Sequence, residues 1–385
     1  MLKIMPVFGT RPEAIKMAPL LKILEAQEEI QTITTVTAQH REMLDQVLQL
    51  FKLIPVYDLN IMQPEQSLTE VTVSVLSKIG EIISKEKPDL MLVHGDTATT
   101  FASSLAAFYH KIPLGHVEAG LRTYNKYSPY PEEMNRKLTG CLADLHFAPT
   151  QTAKEALLKE GVPPRQIFVT GNTVIDALLQ TVNKGYKFKD DTLKQLDFDN
   201  RKILLLTTHR RENIGERMEH IFKAVKEIVE LHHDTVAVVP VHLNPAVQEL
   251  AQKVFGGIER VKLVPPLAYE EFVNLMDRCY LVLTDSGGLQ EEAPALGKPV
   301  LVLRDTTERP EAIAAGTVKL IGIEQERIIA ETSSLLTNPT AYRKMAAAVN
   351  PYGDGRAAER ILQAIRYFFR RTDSPPEEFG LNYKP

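Results

Sequence analysis

From Asp285 to Glu311 the chain reads Asp-Ser-Gly-Gly-Leu-Gln-Glu-Glu-Ala-Pro-Ala-Leu-Gly-Lys-Pro-Val-Leu-Val-Leu-Arg-Asp-Thr-Thr-Glu-Arg-Pro-Glu. An apolar run, Tyr280 to Thr284, leads into Ser286-Gly287-Gly288 and a short helical stretch. A second apolar run, Val300 to Leu303, ends in Arg304 and a charged segment that reaches Arg309. A Ser-Gly-Gly turn at a helix start suits phosphate, because unpaired N–H groups and the helix dipole point at the anion. Glu292, one turn further on, is suited to accept hydrogen bonds from a ribose diol. Together these residues read as a cradle for a nucleotide diphosphate.

A second anion signal lies near the start. Val7-Phe8-Gly9-Thr10-Arg11-Pro12-Glu13 predicts a strand, a Gly turn and a helix with Pro in its first turn, followed by Lys16. Arg11 and Lys16 near a helix N-terminus oppose the macrodipole unless an anion is bound. The plain alternative is a pair of solvated charges.

Acids and histidines cluster at four further places. Asp96 follows Leu92-Val-His94-Gly95 and is a candidate N-cap of the next helix. Glu118 ends Gly115-His116-Val117, Glu132 and Glu133 open a helix after Pro131, and Thr208-His209-Arg210-Arg211 closes the first strand of a second alternation. Each has a bland reading, as a cap, a first-turn charge or a hydrogen-bonded histidine. Glu118 is harder to dismiss, since an acid ending an apolar strand needs a partner or a ligand. Acids from one domain facing His-Arg-Arg from another across a closed cleft are expected to have raised pKa values, suiting acid and base roles near neutral pH. The His94/Asp96 and His116/Glu118 pairs share strand faces, but no metal-ligand spacing follows, so no metal is expected.

These residues need sheet edges to carry them. Short buried strands are predicted at Lys3–Phe8, Thr32–Thr37, Leu90–His94, Pro113–Val117, Leu145–Ala148 and Ile167–Thr170, with a weaker one at Val56–Asn60. Helices at Glu13–Ala26, Leu68–Lys87 and Thr97–His110 alternate with them. A polar segment then interrupts, and strands resume at Ile203–Thr208, Val236–Val241, Val261–Val264, Leu281–Thr284, Val300–Leu303 and Val318–Ile321. The expectation is α/β: a Rossmann-like domain at 1–182, a linker at 183–201 and a second, ligand-binding Rossmann-like domain at 202–355. A last helix, 356–371, is free to pack back on either domain. Gly353-x-Gly355-x-x-Ala358 resembles a dinucleotide fingerprint, but no strand precedes it, so a helix-start turn is expected and nicotinamide cofactors have no support.

The 385 residues allow two to three domains, and an apolar content of 44% supports full cores. Lys+Arg 45 against Asp+Glu 49 gives a net charge of −4, which argues against nucleic-acid binding. Cys141 and Cys279, each in an apolar helical stretch, are expected as buried, reduced thiols. The first residues lack the apolar core of a signal peptide and no run approaches the ~20 apolar residues of a membrane span, so a cytoplasmic protein without a membrane partner is expected.

The motifs Phe8-Gly-Thr-Arg-Pro-Glu-Ala-Ile-Lys16, Thr37-Ala-Gln-His-Arg41, Val93-His-Gly-Asp96, Gly115-His-Val-Glu-Ala-Gly-Leu-Arg122, Pro131-Glu-Glu133, His209-Arg-Arg-Glu212, Pro240-Val-His-Leu-Asn-Pro245, the 285–311 stretch and Asn350-Pro-Tyr-Gly-Asp-Gly355 closely resemble the bacterial non-hydrolysing UDP-N-acetylglucosamine 2-epimerases. The resemblance runs from Val7 to about Gly355. It implies a GT-B-like fold of two Rossmann-type domains with parallel sheets facing across a central cleft, and a last helix crossing back to the first domain. It implies reversible conversion of UDP-GlcNAc to UDP-ManNAc with no cofactor, in a homodimer, supplying ManNAc for cell-surface polysaccharide. The family's route eliminates UDP to a 2-acetamidoglucal and re-adds it.

Carried over by motif, Asp96, Glu118, Glu132 and His209 are the catalytic set. Arg11, Lys16, Phe272, Ser286, Gly287, Gly288, Glu292 and Arg309 bind substrate. Phe272 would lie near uracil. Some members bind a second UDP-GlcNAc as an activator; Gln39, Glu132, Arg210 and His242 match that site. Glu42 and Glu65 replace a Gln and an Arg there, which would weaken contact with a second anion. A retaining glycosyltransferase, a hydrolysing relative and a non-catalytic UDP-sugar sensor are the competing readings. Three clustered acids argue against the sensor.

Overall fold

The computed structural model describes residues 1–38, 41–63, 66–210 and 213–380, apart from the side chain of Glu42. The chain divides into two compact units, Met1–Gln180 with Tyr352–Pro385, and Thr181–Pro351. In each, Val-, Ile- and Leu-rich strands are buried on both faces beneath helices, the burial that a parallel sheet demands.

The first unit carries β1 (Leu2–Phe8), β2 (Ile30–Thr32), β3 (Thr35–Val36), β4 (Tyr57–Asp58), β5 (Leu90–His94), β6 (Leu114–Val117), β7 (Leu145–Ala148) and β8 (Ile167–Val169). Their order is β4-β3-β1-β5-β6-β7-β8, with β2 also paired to β1. Every pairing is parallel. The single strand expected over Thr32–Thr37 is thus two short ones that meet different stretches of β1, Leu2 opposite Ile30 and Val7 opposite Thr35.

The second unit carries β9 (Lys202–Thr207), β10 (Thr235–Pro240), β11 (Val261–Val264), β12 (Leu281–Thr284), β13 (Val300–Val302) and β14 (Val318–Leu320), in the order β11-β10-β9-β12-β13-β14. Both sheets reverse their build direction beside the first strand, between β1 and β5 and between β9 and β12. Ligands of open α/β sheets bind at the carboxyl ends of strands at such switch points. The residues placed there are Gly9–Arg11 and Gly95–Asp96 in one unit, and Thr208–Arg210 and Asp285–Gly288 in the other.

Local chemistry fixes the helices. Thr10 and Glu13 form a capping box at the start of the helix Arg11–Glu25, and Ser67 and Glu70 form another before Leu68–Glu86. Thr97, not Asp96, is the N-cap of Ala98–Tyr109, its hydroxyl accepting from the Thr100 amide. The helix Ala357–Phe368 packs against Arg11–Glu25 in the first unit.

The segment expected as a linker is folded onto the second unit. The Asn183 amide donates to Asn274 Oδ1 at 2.8 Å and the Lys189 amide to Glu271 Oε1 at 2.6 Å. Phe188 stacks on Phe198, and Asp190 caps a short helix, Asp191–Lys194. Alternating aromatics within a charged segment supply this small core. Both cysteines are free thiols; Cys279 is buried, but Cys141 is exposed, contrary to expectation, because it lies on the outer face of the helix Glu132–Leu142. No helix among the described residues is long and apolar enough to cross a membrane.

Candidate active site

At the sheet edge of the first unit, Glu118 directly follows β6 with a backbone φ of +62°. A non-glycine residue in that left-handed region costs roughly 1 kcal/mol or more, and persists where its surroundings hold it. What holds it is Lys16, whose Nζ donates to Glu118 Oε2 at 2.5 Å, with His94 Nε2 3.6 Å from the same oxygen. Burial pushes the Glu118 carboxyl up, but Lys16 and His94 outweigh it and keep the group well below the ordinary glutamate value. Glu118 is therefore a largely buried carboxylate that stays charged.

Asp96 is held from the helix Glu132–Leu142. Arg136 Nε donates to Asp96 Oδ2 at 2.8 Å, and Asn135 Nδ2 to the Asp96 carbonyl at 2.8 Å. The paired acids at that helix start have different surroundings. Glu133 is buried and accepts from the Thr123 and Tyr124 amides, each at 3.0 Å, and from Arg136 at 3.3 Å. Glu132 has a buried Oε2 without a hydrogen-bond partner among the described residues. Glu133 fastens the loop, and Glu132 keeps an acceptor in reserve.

Arg11 opens its helix, and its side chain makes no hydrogen bond or ion pair to another described residue. Gly9 must be glycine because a Cβ there would come within 2.0 Å of Thr37 Oγ1. That close approach lets β1 turn into the helix beneath Arg11.

In the second unit Asp285 is fully buried at the end of β12. Its carboxylate accepts from the amides of His209 and Arg210, each at 3.1 Å to Oδ2, and from Asn213 Nδ2 at 2.9 Å. His209 Nδ1 stands 3.2 Å from Asp285 Oδ1, while the imidazole is 51% exposed. Burial raises the Asp285 carboxyl, but the hydrogen bonds from His209, Arg210 and Asn213 bring it below the ordinary aspartate value. A carboxylate on Nδ1 fixes the ring and turns Nε2 outward.

The Ser286-Gly287-Gly288 turn follows. The Ser286 amide donates to Thr284 Oγ1 at 2.9 Å, and Gly288 precedes the helix Leu289–Ala295. A Cβ placed on Gly287 would lie 3.9 Å from an Arg210 Nη2 and 4.0 Å from an Arg309 Nη2. Two guanidinium groups thus flank the turn, a donor set suited to phosphate. Arg309 is set by an ion pair with Glu291 and by its amide donating to Thr307 Oγ1 at 3.1 Å. Glu292 is half-buried, its amide bonded to the Gly288 carbonyl at 3.0 Å.

Phe272 is half-buried on the helix Tyr269–Arg278, and His242 is exposed just past β10, its Nδ1 accepting from the Asn244 amide at 3.1 Å. Gln39, Glu65 and the side chain of Glu42 lie outside the described residues.

The structure brings together Lys16 with Glu118, Asp96 with the helix that starts at Glu132, and His209 with Arg210, Arg309 and the Ser286–Gly288 turn. Sequence reasoning missed Asp285, Arg136 and His94 as supports. The signal for Asp285 was present: it is an acid ending an apolar strand, the argument applied to Glu118.

Among the described residues no group of three or more His, Cys, Asp or Glu side chains is placed to hold a metal ion.

The sequence profile of UDP-N-acetylglucosamine 2-epimerase matches residues 22–366. The chain is 56% identical over 378 residues to the UDP-N-acetylglucosamine 2-epimerase of Bacillus subtilis (strain 168), with 98% of each covered. It is similar to a crystal structure of a UDP-N-acetylglucosamine 2-epimerase at 54% identity and a TM-score of 0.92, covering 98% of this chain and 99% of that one. It is also similar to the UDP-GlcNAc 2-epimerase from Neisseria meningitidis bound to UDP-GlcNAc, at 51% identity and a TM-score of 0.83, covering 94% and 99%.

Proposed function

The chain belongs to the bacterial non-hydrolysing UDP-N-acetylglucosamine 2-epimerase family, isomerases with two parallel-sheet α/β domains in a GT-B-like fold, and on that premise we propose that it interconverts UDP-GlcNAc and UDP-ManNAc by eliminating and re-adding UDP. The C2 proton of the sugar is not next to a carbonyl, so a carboxylate cannot simply remove it. Breaking the C1–O bond to UDP as the C2–H bond breaks gives a neutral 2-acetamidoglucal and UDP. Return of a proton to the other face of C2, with the diphosphate oxygen re-forming its bond to C1, completes the inversion. The step needs a base, an acid and a stabilised leaving group.

Asp96, Glu118 and Glu132 supply the acid and base groups, and Arg11 and Lys16 lie toward the diphosphate. The Ser286–Gly288 turn, Arg309 and His209 hold UDP, with Glu292 on the ribose and Phe272 beside uracil. Asp285 keeps His209 Nε2 turned toward the leaving group, where the ring can meet developing negative charge. In this reading the enzyme works as a homodimer and supplies ManNAc for surface polysaccharide. His242, Arg210 and Gln39 are the residues left for a second UDP-GlcNAc.

The observation that carries this reading is the pair of acids at the first unit's sheet edge, together with Glu132 at the start of the helix that holds Asp96. Glu118 is kept ionised by Lys16, Asp96 is paired to Arg136, and Glu132 retains a buried, unpartnered oxygen. An edge that only bound an anion would be weakened by three carboxylates.

Proton NMR of UDP-GlcNAc with the enzyme in D2O tests it. The expected result is UDP-ManNAc with deuterium at C2. Free ManNAc with UDP would indicate hydrolysis instead, and an unchanged substrate would overturn the reading. Asp96→Asn and Glu118→Gln are expected to lose turnover by roughly 100-fold or more while still binding UDP.

A further inference from the structure

The Glu13 carboxylate receives more hydrogen bonds than a helix cap requires. It is 3% exposed. Oε2 accepts from the Gly9 amide at 3.0 Å, the Thr10 amide at 2.8 Å and the Thr10 hydroxyl at 2.8 Å. Those bonds complete the local capping box. Oε1 turns away from its own helix and accepts from Thr97 Oγ1 at 2.7 Å, with Thr100 Oγ1 at 3.2 Å.

A second capping box among the described residues gives an internal comparison. Glu70 is exposed, and among the described residues its carboxylate bonds only to the amide and hydroxyl of Ser67, each at 2.7 Å. A box that merely starts a helix needs nothing outside it. Glu13 reaches across 84 residues of sequence to the residue that follows Asp96. Thr97 Oγ1 donates to Glu13 and also accepts from the Thr100 amide at 3.2 Å, so one hydroxyl caps its helix and closes the bridge.

The two loops joined in this way are those at the β1/β5 switch point. One leads to Arg11 and Lys16, the other holds Asp96. A second tie, Thr37 Oγ1 to Thr99 Oγ1 at 2.9 Å, runs beneath Gly9 in the same place. A burial this deep, with no cation on the carboxylate among the described residues, is tolerated because each oxygen is hydrogen-bonded.

We propose that Glu13 is a positioning residue that locks the Gly9–Arg11 turn to the start of the helix Ala98–Tyr109, and so sets Arg11 and Lys16 at a fixed distance from Asp96. It touches no substrate. The inference rests on the epimerase reading for the roles of Arg11, Lys16 and Asp96, but the lock itself does not.

The test uses the full chain with Thr97→Val and Thr97→Ser, so that Glu13 and its local box stay intact. Two quantities are read in folded protein: steady-state epimerisation of UDP-GlcNAc, and amide hydrogen exchange of the peptide containing Gly9 and Thr10. For Thr97→Val, kcat is expected to fall about tenfold or more with KM within about threefold, as a small misplacement of a catalytic group does. Exchange at Gly9 and Thr10 is expected to speed up, though neither residue is altered. Thr97→Ser, which keeps the hydroxyl, is expected to restore both. A Thr97→Val enzyme with kcat within about twofold of the parent overturns the proposal. So does a slowed enzyme whose exchange at Gly9 and Thr10 is unchanged, since the loss would then not pass through the bridge. An unaltered parent that leaves UDP-GlcNAc untouched would refute the epimerase reading instead, and the exchange comparison would still judge the lock.

Discussion

Lys16 Nζ donates to Glu118 Oε2 at 2.5 Å across 102 residues of sequence. The pair keeps a largely buried acid ionised, so removing the cation should do more than delete one contact. Lys16→Met is expected to cost on the order of 3 kcal/mol at neutral pH by stranding the carboxylate. The sign then follows from linkage. In the parent Glu118 titrates below its unfolded value, so its contribution is present above the usual glutamate range and is lost as pH falls. In Lys16→Met burial dominates and Glu118 takes up a proton more readily. The gap between the two proteins should narrow as pH drops from 7.5 to 5, read by urea unfolding. Adding Glu118→Gln should recover most of the loss, and a gap independent of pH would count against the argument.

Asp285 offers a different test, because it acts through His209. Asp285→Asn leaves an amide where a carboxylate fixed Nδ1 and accepted from two backbone amides. We expect kcat for epimerisation to fall by at least about tenfold while UDP binding, measured by calorimetry, weakens much less. Equal losses in both would mean that the substitution had disordered the cradle as a whole.

Glu132 and Glu133 should separate cleanly. Glu133→Gln replaces an acceptor of the Thr123 and Tyr124 amides, and is expected to lower Tm, with a cost of roughly 1–3 kcal/mol. Glu132→Gln should leave Tm unchanged and reduce kcat by about 100-fold or more. Thermal unfolding and initial rates on the same samples decide it; the reverse pattern would exchange the two assignments.

That pair also shows where sequence stops. Two adjacent acids at a helix start are equivalent on paper, and only the loop folding back over Glu133 tells them apart. Apolar runs located the central strands because these are buried on both faces, and strand ends located Asp96 and Glu118. Of the two readings open for Asp96, the cap falls away, since the neighbouring Thr97 fills that role with a hydroxyl that accepts from the Thr100 amide. The segment 183–201 looked like a linker because its aromatics are spaced among charges, and their stacking requires a surface supplied by the helix Tyr269–Arg278. Asp285, Arg136 and His94 escaped because their partners lie on other elements of the sheet edge.

Two histidines on neighbouring strands of the first unit shape acid stability. His116 and His146 lie opposite one another on β6 and β7, both buried. Burial holds His116 down to about 3, against a partly offsetting bond to the Gly95 carbonyl, and holds His146 down to about 4. The unfolded chain therefore binds these protons first, and stability falls as pH drops below about 6.5. The slope is about 1.4 kcal/mol per pH unit for each, or roughly 2 kcal/mol per histidine between pH 6.5 and 5. Urea midpoints of the first unit's transition should follow that slope. His146→Gln should make it shallower, and an unaltered slope would exclude His146 as a contributor.

The helix Ala357–Phe368 begins without a side-chain cap of its own. Its first amides donate instead to Asp176, Ala358 to Oδ1 at 2.8 Å and Ala357 to Oδ2 at 3.2 Å. The consequence concerns the order of synthesis. When residue 180 leaves the ribosome, the first unit still lacks this helix, and part of the helix Arg11–Glu25 has nothing to pack on. All of the second unit must be translated in between, roughly 10–40 s at about 5–20 residues per second. The nascent first unit therefore waits with an apolar face uncovered while the second can fold whole, so the part made first is the part finished last.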